Sequence, residues 1–466
     1  MAATGGARPG KQSLHPVVVM LAVLVLAAVI THLVGAGQYL RVEGRVVPGS
    51  YRPLKKFDGL STLFAPPLSA HGTPTEAAGL FSVLRSVPEG FLTNARLIFL
   101  VLIVGGMFGV LRKTGAIDAA ADQLVQRARG QVHLVMASIM IVLALGSTFL
   151  GFISEYLVLI PIAVLVGERL GYGPLFAVAV VGVAAKIGYT TSVTNPYALI
   201  VAQPIAGVAV FSGLWLRLAL FLCFMAIGIA YVILRLKPDR PRQVQTATTA
   251  LTALSLRQIL VLVSLLLAGG LLIWGCTAHK WGATDISAFY LALALVFAVL
   301  GGLSAPQAAD AFVAGLNSMM LAGLLVGLAG AVQVLLQQSH VLDTLIHAAT
   351  QFIHGHAPAL TANAIMATEM LLGVAIPSTA GKAAVSMPIL APIARLAGVS
   401  GQTSVLAFIL GNGLTNMITP TSGMLLAYLA AAGVGFGEWI RFIAPLFLLL
   451  LVISGAMLGV AVHIGY

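Results

Sequence analysis

Apolar runs about as long as a lipid bilayer is thick recur along the whole chain and constrain its fold more than any other feature. The first covers residues 17–34, and the last reaches His463. A helix needs about 20 apolar residues to cross the hydrocarbon core. With 59% hydrophobic residues, 8% charged residues and a mean hydropathy of +1.02, the composition excludes an ordinary soluble domain and a disordered chain. The sequence therefore predicts an all-α polytopic membrane protein.

The distribution of positive charge predicts its orientation. The net charge of +11 comes from Lys and Arg near the ends of apolar runs, as the positive-inside rule describes, so the lipid bilayer rather than nucleic acid is the expected partner. We interpret 17–34 as a retained span, which leaves the amino terminus cytoplasmic and the carboxyl terminus extracytoplasmic. Cys223 and Cys276 lie far apart in apolar runs, so no disulfide is expected.

Polar interruptions divide four of the apolar stretches. "GSTFLGFISE" and "IPSTAGKAAVSMP" interrupt 131–167 and 358–394, which we predict to be re-entrant hairpins of two half-helices. "KIGYTTSVTNP" and "GNGLTNMITPTSG" interrupt two full spans. In all, about nine spans and two hairpins are predicted. The expected divisions are an N-terminal span and extracytoplasmic loop with a short surface segment (1–93), a first repeat (94–236), a cytoplasmic linker (237–256), connecting spans (257–316) and a second repeat (317–466).

The two halves resemble each other. "LRKTGAIDAAADQL" is similar to "LLQQSHVLDTLIHA", "IPIAVLVGERLGYG" to "MPILAPIARLAGVS", and "TTSVTNP" to "LTNMITP", at an offset of about 225 residues. One half starts outside and the other inside. Two inverted-topology repeats, each with a hairpin and a broken transmembrane helix, are typical of secondary transporters.

The interruptions bring polar chemistry to the membrane centre. Pro196 lacks an amide proton and Gly188 favours non-helical backbone, so the helix is expected to open between them. Half-helix amino termini suit a carboxylate, whereas carbonyls and hydroxyls suit a small cation. Alternatively, the hydroxyls only satisfy backbone groups at a kink. Four matching interruptions favour a binding site for an ionic solute.

Ionisable residues at these interruptions strengthen that interpretation, because charge at the membrane centre is costly. Glu155, Lys186 and Lys382 stand at three of them, and Glu369 is either a paired structural acid or functional. Two lysines against one glutamate favour an anionic solute. The candidate substrate and ion ligands are Ser147, Thr148, Glu155, Lys186, Thr191, Ser192, Thr194, Asn195, Pro196, Ser378, Thr379, Gly381, Lys382, Asn412, Thr415, Asn416, Thr419, Thr421 and Ser422.

Motifs for other functions are missing from the sequence. It holds no GxxxxGK[ST] loop, no HExxH and no GxSxG, so we expect neither an enzyme nor a cofactor, nor a metal centre, and ion gradients must supply the energy. His340, His347, His354 and His356 form a spaced group, for which a metal or proton-sensing role and a plain interfacial helix face both stay open.

Three segments carry a family resemblance: "AKIGYTTSVTNPYALIVAQPIAGVAVFSG", "PSTAGKAAVSMPILAPIARLAGV" and "LAFILGNGLTNMITPTSGMLLAYLAAAGV". They resemble the YfcC-like branch of the C4-dicarboxylate anaerobic carrier (DcuC) family, in the ion transporter superfamily. The resemblance implies a homodimeric, elevator-type carrier of the bacterial inner membrane, for C4-dicarboxylates, basic amino acids or other small carboxylates. It places the site at residues 191–196, 378–382 and 411–422 and, in the first hairpin, at Gly146, Ser147, Thr148, Gly151 and Glu155. Lys186 and Lys382 depart from the glutamine common in similar proteins, which puts Na⁺ coupling in doubt.

We therefore expect a secondary active transporter of a small carboxylate-bearing solute, a C4-dicarboxylate or an amino acid, that works by alternating access with H⁺ or Na⁺ as coupling ion. The alternative carrier is a basic amino acid exchanger in which Glu155 binds the substrate cation. An ion channel is the alternative of another class, although no selectivity-filter sequence is present.

Overall fold

Helices make up most of the chain in the computed structural model, which describes residues 16–42, 45–47, 49–57, 75–127, 131–238, 254–279, 281–353 and 357–466. The amino terminus before residue 16, most of the predicted linker, His354 and His356 lie outside the described residues. The helices up to the linker are α1 Pro16–Leu33, α2 Leu80–Thr93, α3 Ala95–Lys113, α4 Ala116–Arg127, α5 Val132–Leu150, α6 Leu159–Arg169, α7 Leu175–Ala177, α8 Val183–Thr191, α9 Pro196–Ile205 and α10 Leu214–Arg235.

The helices after the linker follow a similar order. They are α11 Leu256–Ala278, α12 Ala283–Gly301, α13 Ala305–Ser318, α14 Met320–Gln338, α15 Val341–Ile353, α16 Pro358–Ala375, α17 Thr379–Leu396, α18 Gly401–Ile418, α19 Gly423–Ala432 and α20 Phe436–His463. A 3₁₀ turn, Ser154–Val158, precedes α6, and a π-helical segment, Val178–Gly182, joins α7 to α8. When α7, the π-helical segment and α8 are counted as one helix, the order from α2 to α10 resembles that from α13 to α20.

Seven described helices are long and apolar enough to cross a membrane: α3, α5, α10, α12, α14, α16 and α20. The chain is therefore a multi-pass membrane protein. The first arm of each predicted hairpin is a long helix. Helix α5 has 19 residues and α16 has 18, so at about 1.5 Å per residue each approaches the thickness of the hydrocarbon core.

Two helices of 14 residues were not predicted from hydropathy. Helix α2 packs along α14, and α13 packs along α3. Small residues allow both contacts: a Cβ on Gly90 would lie 2.2 Å from Ala331 N, and one on Gly315 would lie 2.1 Å from Gly105 O. The predicted division 1–93 therefore ends in a closely packed helix, and a second such helix lies at the end of the predicted connecting spans.

Short strands before α2 qualify the all-α prediction. β1 Gly37–Gln38 pairs antiparallel with β4 Arg52–Pro53, β2 Arg41–Val42 pairs antiparallel with β3 Arg45–Val46, and β5 Lys56–Phe57 pairs parallel with β6 Thr75–Glu76.

The described residues between 36 and 57 contact α15 and His340, which precedes it. Arg41 Nη2 lies 2.7 Å from Asp343 Oδ1, and the Tyr39 amide donates to Asp343 Oδ2 at 2.9 Å. The Gly37 amide donates to the His340 carbonyl, and the Tyr51 ring stacks on His347 at 3.9 Å. Tyr39 also packs against the second hairpin, because it shares a small core with Ile346, Leu372 and Ile389. The described residues that follow α1 therefore pack against α15, α16 and α17.

Candidate functional site

A cavity of about 370 Å³ lies where the four interruptions meet α3 and α14. Among the described residues that line it, one is a lysine and none is an aspartate or a glutamate. The residues that line it are Asn94, Leu97, Gly151, Ile153, Ser154, Lys186, Tyr189, Tyr197, Gln333, Pro377, Ser378, Thr379, Ala380, Asn416, Ser422, Gly423 and Met424. The interruptions predicted from the sequence therefore converge on one space.

The first broken helix opens where the sequence predicts. Ser192 follows α8 with φ 41° and ψ 57°, and Pro196 begins α9. The Asn195 side chain accepts from the Tyr197 amide at 3.0 Å and so caps α9. It also donates to Ser192 Oγ at 3.2 Å. Asn195 therefore holds the shape of the break and does not line the cavity.

The hydroxyls of the first hairpin attach it to this break. Thr148 Oγ1 accepts from the Val193 amide at 3.0 Å and lies 3.0 Å from Thr191 Oγ1. Thr194 Oγ1 donates to the Phe149 carbonyl at 3.0 Å, and Ser147 Oγ donates to the Ala185 carbonyl at 2.7 Å. These candidate ligands lie outside the cavity lining and satisfy protein groups instead.

Glu155 is buried in the turn after α5. Its Oε2 accepts from the Ile153 amide at 3.0 Å, and its Oε1 accepts from the Ser154 hydroxyl at 3.1 Å. Only 5% of the residue is exposed. The cavity wall at this turn consists of Ile153 and Ser154, and Glu155 is not part of it.

Both interruptions of the second half present helix amino termini to the cavity. Ser378 accepts from the Gly381 amide at 3.2 Å and caps α17, and Ser422 caps α19. Tyr197 brings the start of α9 to the same space. Unpaired amides and the helix dipole make such termini favourable surroundings for an anion.

The remaining predicted residues of the second half divide into two groups. Asn416 lines the cavity and donates to the Asn412 carbonyl at 2.9 Å. Asn412 does not line the cavity, but its Nδ2 donates to Oγ1 of the lining residue Thr379 at 3.0 Å. The hydroxyls of Thr415, Thr419 and Thr421 bond inside the protein and lie outside the lining.

Lys186 is the ammonium in the cavity wall. Its residue is 2% exposed, and no described residue forms an ion pair or side-chain hydrogen bond with it. Keeping a buried lysine side chain charged costs several kcal/mol unless an anion compensates for the charge. Within the described chain, that compensating charge is missing from the cavity.

Lys382 lies elsewhere. Its Nζ is 3.7 Å from Glu369 Oε2 and donates to the Glu369 carbonyl at 2.9 Å, and both side chains are fully buried. Neither residue lines the cavity. Of the two lysines expected to face the solute, only Lys186 lines the cavity. Glu369 has Lys382 as a charged partner, as expected of a paired structural acid.

Five polar lining residues were not predicted: Asn94, Ser154, Tyr189, Tyr197 and Gln333. Gln333 interrupts the apolar run of α14, and this was a signal available in the sequence. Asn94 lies between α2 and α3, so its position depends on a helix that hydropathy did not reveal.

Nearly the whole chain matches a family model. The family model for DcuC, the C4-dicarboxylate anaerobic carrier, matches residues 15–463. The chain belongs to this family. It is 30% identical over 398 residues to a protein of Escherichia coli K12 named "Putative basic amino acid antiporter YfcC", and this match covers 80% of the chain and 79% of the relative. A protein of Haemophilus influenzae Rd is 26% identical over 403 residues, covering 83% and 79%.

Two solved structures are also similar to this DcuC-family chain. The YdaH transporter of Alcanivorax borkumensis has 18% identity and a TM-score of 0.44, with 97% of this chain and 99% of that chain covered. MtrF of Neisseria gonorrhoeae, described with a class of antimetabolite efflux pumps, has 19% identity and a TM-score of 0.41, with 96% and 95% covered. From its family membership, the chain is a transporter of the DcuC type.

Proposed function

We propose that this transporter carries a small carboxylate-bearing anion across the bacterial inner membrane by secondary active, alternating-access transport. The observation that supports the proposal is the Lys186 side chain, which is 2% exposed and faces the cavity without a charged partner among the described residues. A bound carboxylate would supply the missing charge and a charge-assisted hydrogen bond.

The rest of the lining is consistent with an anion. Helices α9, α17 and α19 all begin at the cavity, and the described lining contains no Asp or Glu. One carboxylate can pair with Lys186 while the helix termini and the amides of Asn94, Gln333 and Asn416 bind a second polar group. A volume of about 370 Å³ lies within the usual range for small-molecule sites, roughly 300–1,000 Å³.

A basic amino acid exchanger is the second candidate, because the relative YfcC bears that name. The cationic side chain of such a substrate needs an acidic partner. Glu155, the acid expected to fill this role, already accepts two hydrogen bonds and lies outside the lining. We therefore place the carboxylate-bearing anion first and the cationic amino acid second.

The mechanism proposed with this function is that of an elevator-type carrier with inverted repeats. The recurring element order and the paired contacts of α2 with α14 and of α3 with α13 support two equivalent halves. A homodimer and coupling to H⁺ or Na⁺ complete the proposal, and they rest on the family resemblance. An ion channel would instead show solute currents far above the turnover of a carrier.

Thermal-shift measurements on purified protein test the substrate class. A ligand that binds only the folded state raises the melting temperature. We expect succinate or aspartate to raise it in the wild type and not in Lys186→Gln, and arginine to leave it unchanged. Uptake of the stabilising solute into proteoliposomes then tests transport. If arginine instead raises the melting temperature of both the wild type and Lys186→Gln, the proposal is overturned and the exchanger is favoured.

A further inference from the structure

The Glu369–Lys382 pair has no part in the cavity lining, and its hydrogen bonding is incomplete. Neither oxygen of the Glu369 carboxyl has a hydrogen-bond partner among the described residues. The Lys382 ammonium is 3.7 Å from Oε2, longer than a hydrogen bond, and it donates to the Glu369 main-chain carbonyl instead. The Ser386 hydroxyl, one turn along α17, donates to the Lys382 carbonyl. An ionised carboxylate here is poorly stabilised.

Glu155 shows what a satisfied buried carboxylate in this protein looks like. It is also buried and also lies in a hairpin, yet an amide and a hydroxyl donate to its two oxygens at 3.0 and 3.1 Å. The two acids therefore share residue type and burial and differ in hydrogen bonding.

Lys382 is the charged group that faces Glu369. Helices α14, α15, α17, α18 and α20 pack on α16, and α9 and β3 add contacts to α17. Among the Lys, Arg and His side chains that the structure describes, only Lys382 lies within 4.0 Å of the Glu369 carboxyl. The other titratable and charged residues on those elements are Arg45, Tyr197, Asp343, His347, Arg395, Glu438, Arg441 and His463. The neighbouring helix α19 adds Tyr428.

We infer that Glu369 is a proton-binding site whose occupancy is coupled to the binding of an anion in the cavity. A proton from the aqueous phase adds to a carboxylate oxygen and forms an O–H group, while Lys382 keeps its ammonium. The charge of the hairpin thereby rises by one. A proton needs no extra space, whereas a metal cation would meet the Lys382 ammonium 3.7 Å from the same carboxylate.

The position of the pair explains the coupling. Glu369 and Lys382 join the two arms of the second hairpin, and the tip between them, residues 377–380, lines the cavity. Protonation leaves the ammonium without a counter-charge, so the cavity becomes more favourable for an anion. By reciprocity, a bound anion must favour protonation equally. This coupling rests on the proposed function, whereas proton binding by Glu369 does not.

Infrared difference spectroscopy of the reconstituted full chain, titrated with acid in the absence of solute, tests the proton site. We expect a protonated-carboxyl band that disappears in Glu369→Gln and persists in the matched variant Glu155→Gln. Lys382→Gln supplies a second readout that does not depend on the folding of Glu369→Gln. Loss of the ammonium makes protonation easier, so the band should appear at higher pH. A band that persists in Glu369→Gln, or that is unmoved in Lys382→Gln, overturns the proton site.

Proton uptake on addition of succinate, followed with a pH-indicator dye in weakly buffered solution, tests the coupling. We expect uptake in the wild type, none in Glu369→Gln, and succinate affinity that rises about fivefold or more on acidification in the wild type alone. Succinate binding without proton uptake overturns the coupling and leaves the proposed anion transport intact. If succinate does not bind while the infrared band behaves as expected, the proposed substrate fails and the proton site stands.

Discussion

The Tyr189 hydroxyl lies 2.5 Å from Thr379 Oγ1, so the broken helix of the first half directly contacts the hairpin tip of the second half at the cavity. Asn412 donates to the same Thr379 hydroxyl at 3.0 Å. Three elements that are distant in sequence thus share one polar contact. Any movement of the hairpin tip relative to α8 or α18 must break it.

Tyr189→Phe should therefore weaken substrate binding while leaving the fold intact. A hydrogen bond of this kind contributes about 0.5–1.5 kcal/mol net, which corresponds to an affinity loss of roughly two- to tenfold. Solute-dependent thermal shift and the concentration dependence of uptake measure it. Tyr156→Phe is the matched control, because the Tyr156 hydroxyl donates to the Leu143 carbonyl within the first hairpin and lies outside the cavity. Equal affinity losses in both variants would contradict a role for Tyr189 at the site.

Replacing the two buried lysines should change stability in opposite directions. Lys186→Gln removes an ammonium without a described charged partner, so we expect the ligand-free melting temperature to rise while carboxylate binding falls about tenfold or more. Lys382→Gln leaves the Glu369 carboxylate buried alone and should cost about 3–5 kcal/mol near neutral pH. Thermal melts of both variants without solute measure the difference. A fall in stability for Lys186→Gln would show that its ammonium is already compensated.

The positions of the interruptions could be predicted because their causes are local. Pro196, with glycines and short hydroxyl residues nearby, opens a helix whatever packs around it, and α8 and α9 end and begin where expected. The functions of individual side chains could not be predicted. Thr148 and Ser147 carry the same hydroxyl group as Ser378, yet only Ser378 lines the cavity, and that depends on the packing of one hairpin against another helix.

Pairing across the second hairpin was also beyond a single sequence. Glu369 and Lys382 are 13 residues apart on different helices, and only the close return of α17 along α16 brings them together. Helices α2 and α13 were missed because each has 14 residues, fewer than a span needs, and each contains at least one charged residue.

Asn195→Ala and Asn416→Ala should have different effects, although both asparagines were predicted as ligands. Asn195 caps α9, so its loss should cost about 1 kcal/mol of stability, and Asn195→Asp, which keeps a capping oxygen, should restore most of it. Asn416 lines the cavity, so its alanine variant should lose uptake with little change in melting temperature. Melting temperatures together with uptake distinguish the two. Normal uptake by Asn416→Ala would remove it from the proposed site.

The attachment of the 36–57 loop to α15 should weaken in acid. Burial lowers the pKa of His340 below its usual value of about 6.5; Asp343 opposes this shift and Arg41 adds to it. Because the pKa is lowered, His340 binds a proton more readily when the loop is detached or unfolded. The attachment is therefore fully stable above about pH 6.5 and becomes less stable as the pH falls below it.

Hydrogen exchange of residues 36–57 at about pH 8 and about pH 5.5 measures this effect, and exchange corrected for its intrinsic pH dependence should be faster in acid. His340→Asn is the test variant, since residue 340 has φ 51° and asparagine tolerates this left-handed conformation. Its loop should lose most of the pH dependence. An unchanged pH dependence in the variant would assign the effect to another group.

The contact between α2 and α14 should tolerate no side chain at Gly90. A Cβ there would lie 2.2 Å from Ala331 N and 2.7 Å from Gly327 O, and backbone atoms cannot move aside as a side chain can. We therefore expect Gly90→Ala to destabilise the protein by about 1–3 kcal/mol or more. Gly269→Ala in α11 is the matched control, because nothing lies within 4 Å of its added Cβ, and alanine should be neutral or stabilise by about 0.5–1 kcal/mol. Melting temperatures in detergent compare them, and equal values would mean that α2 does not pack closely on α14.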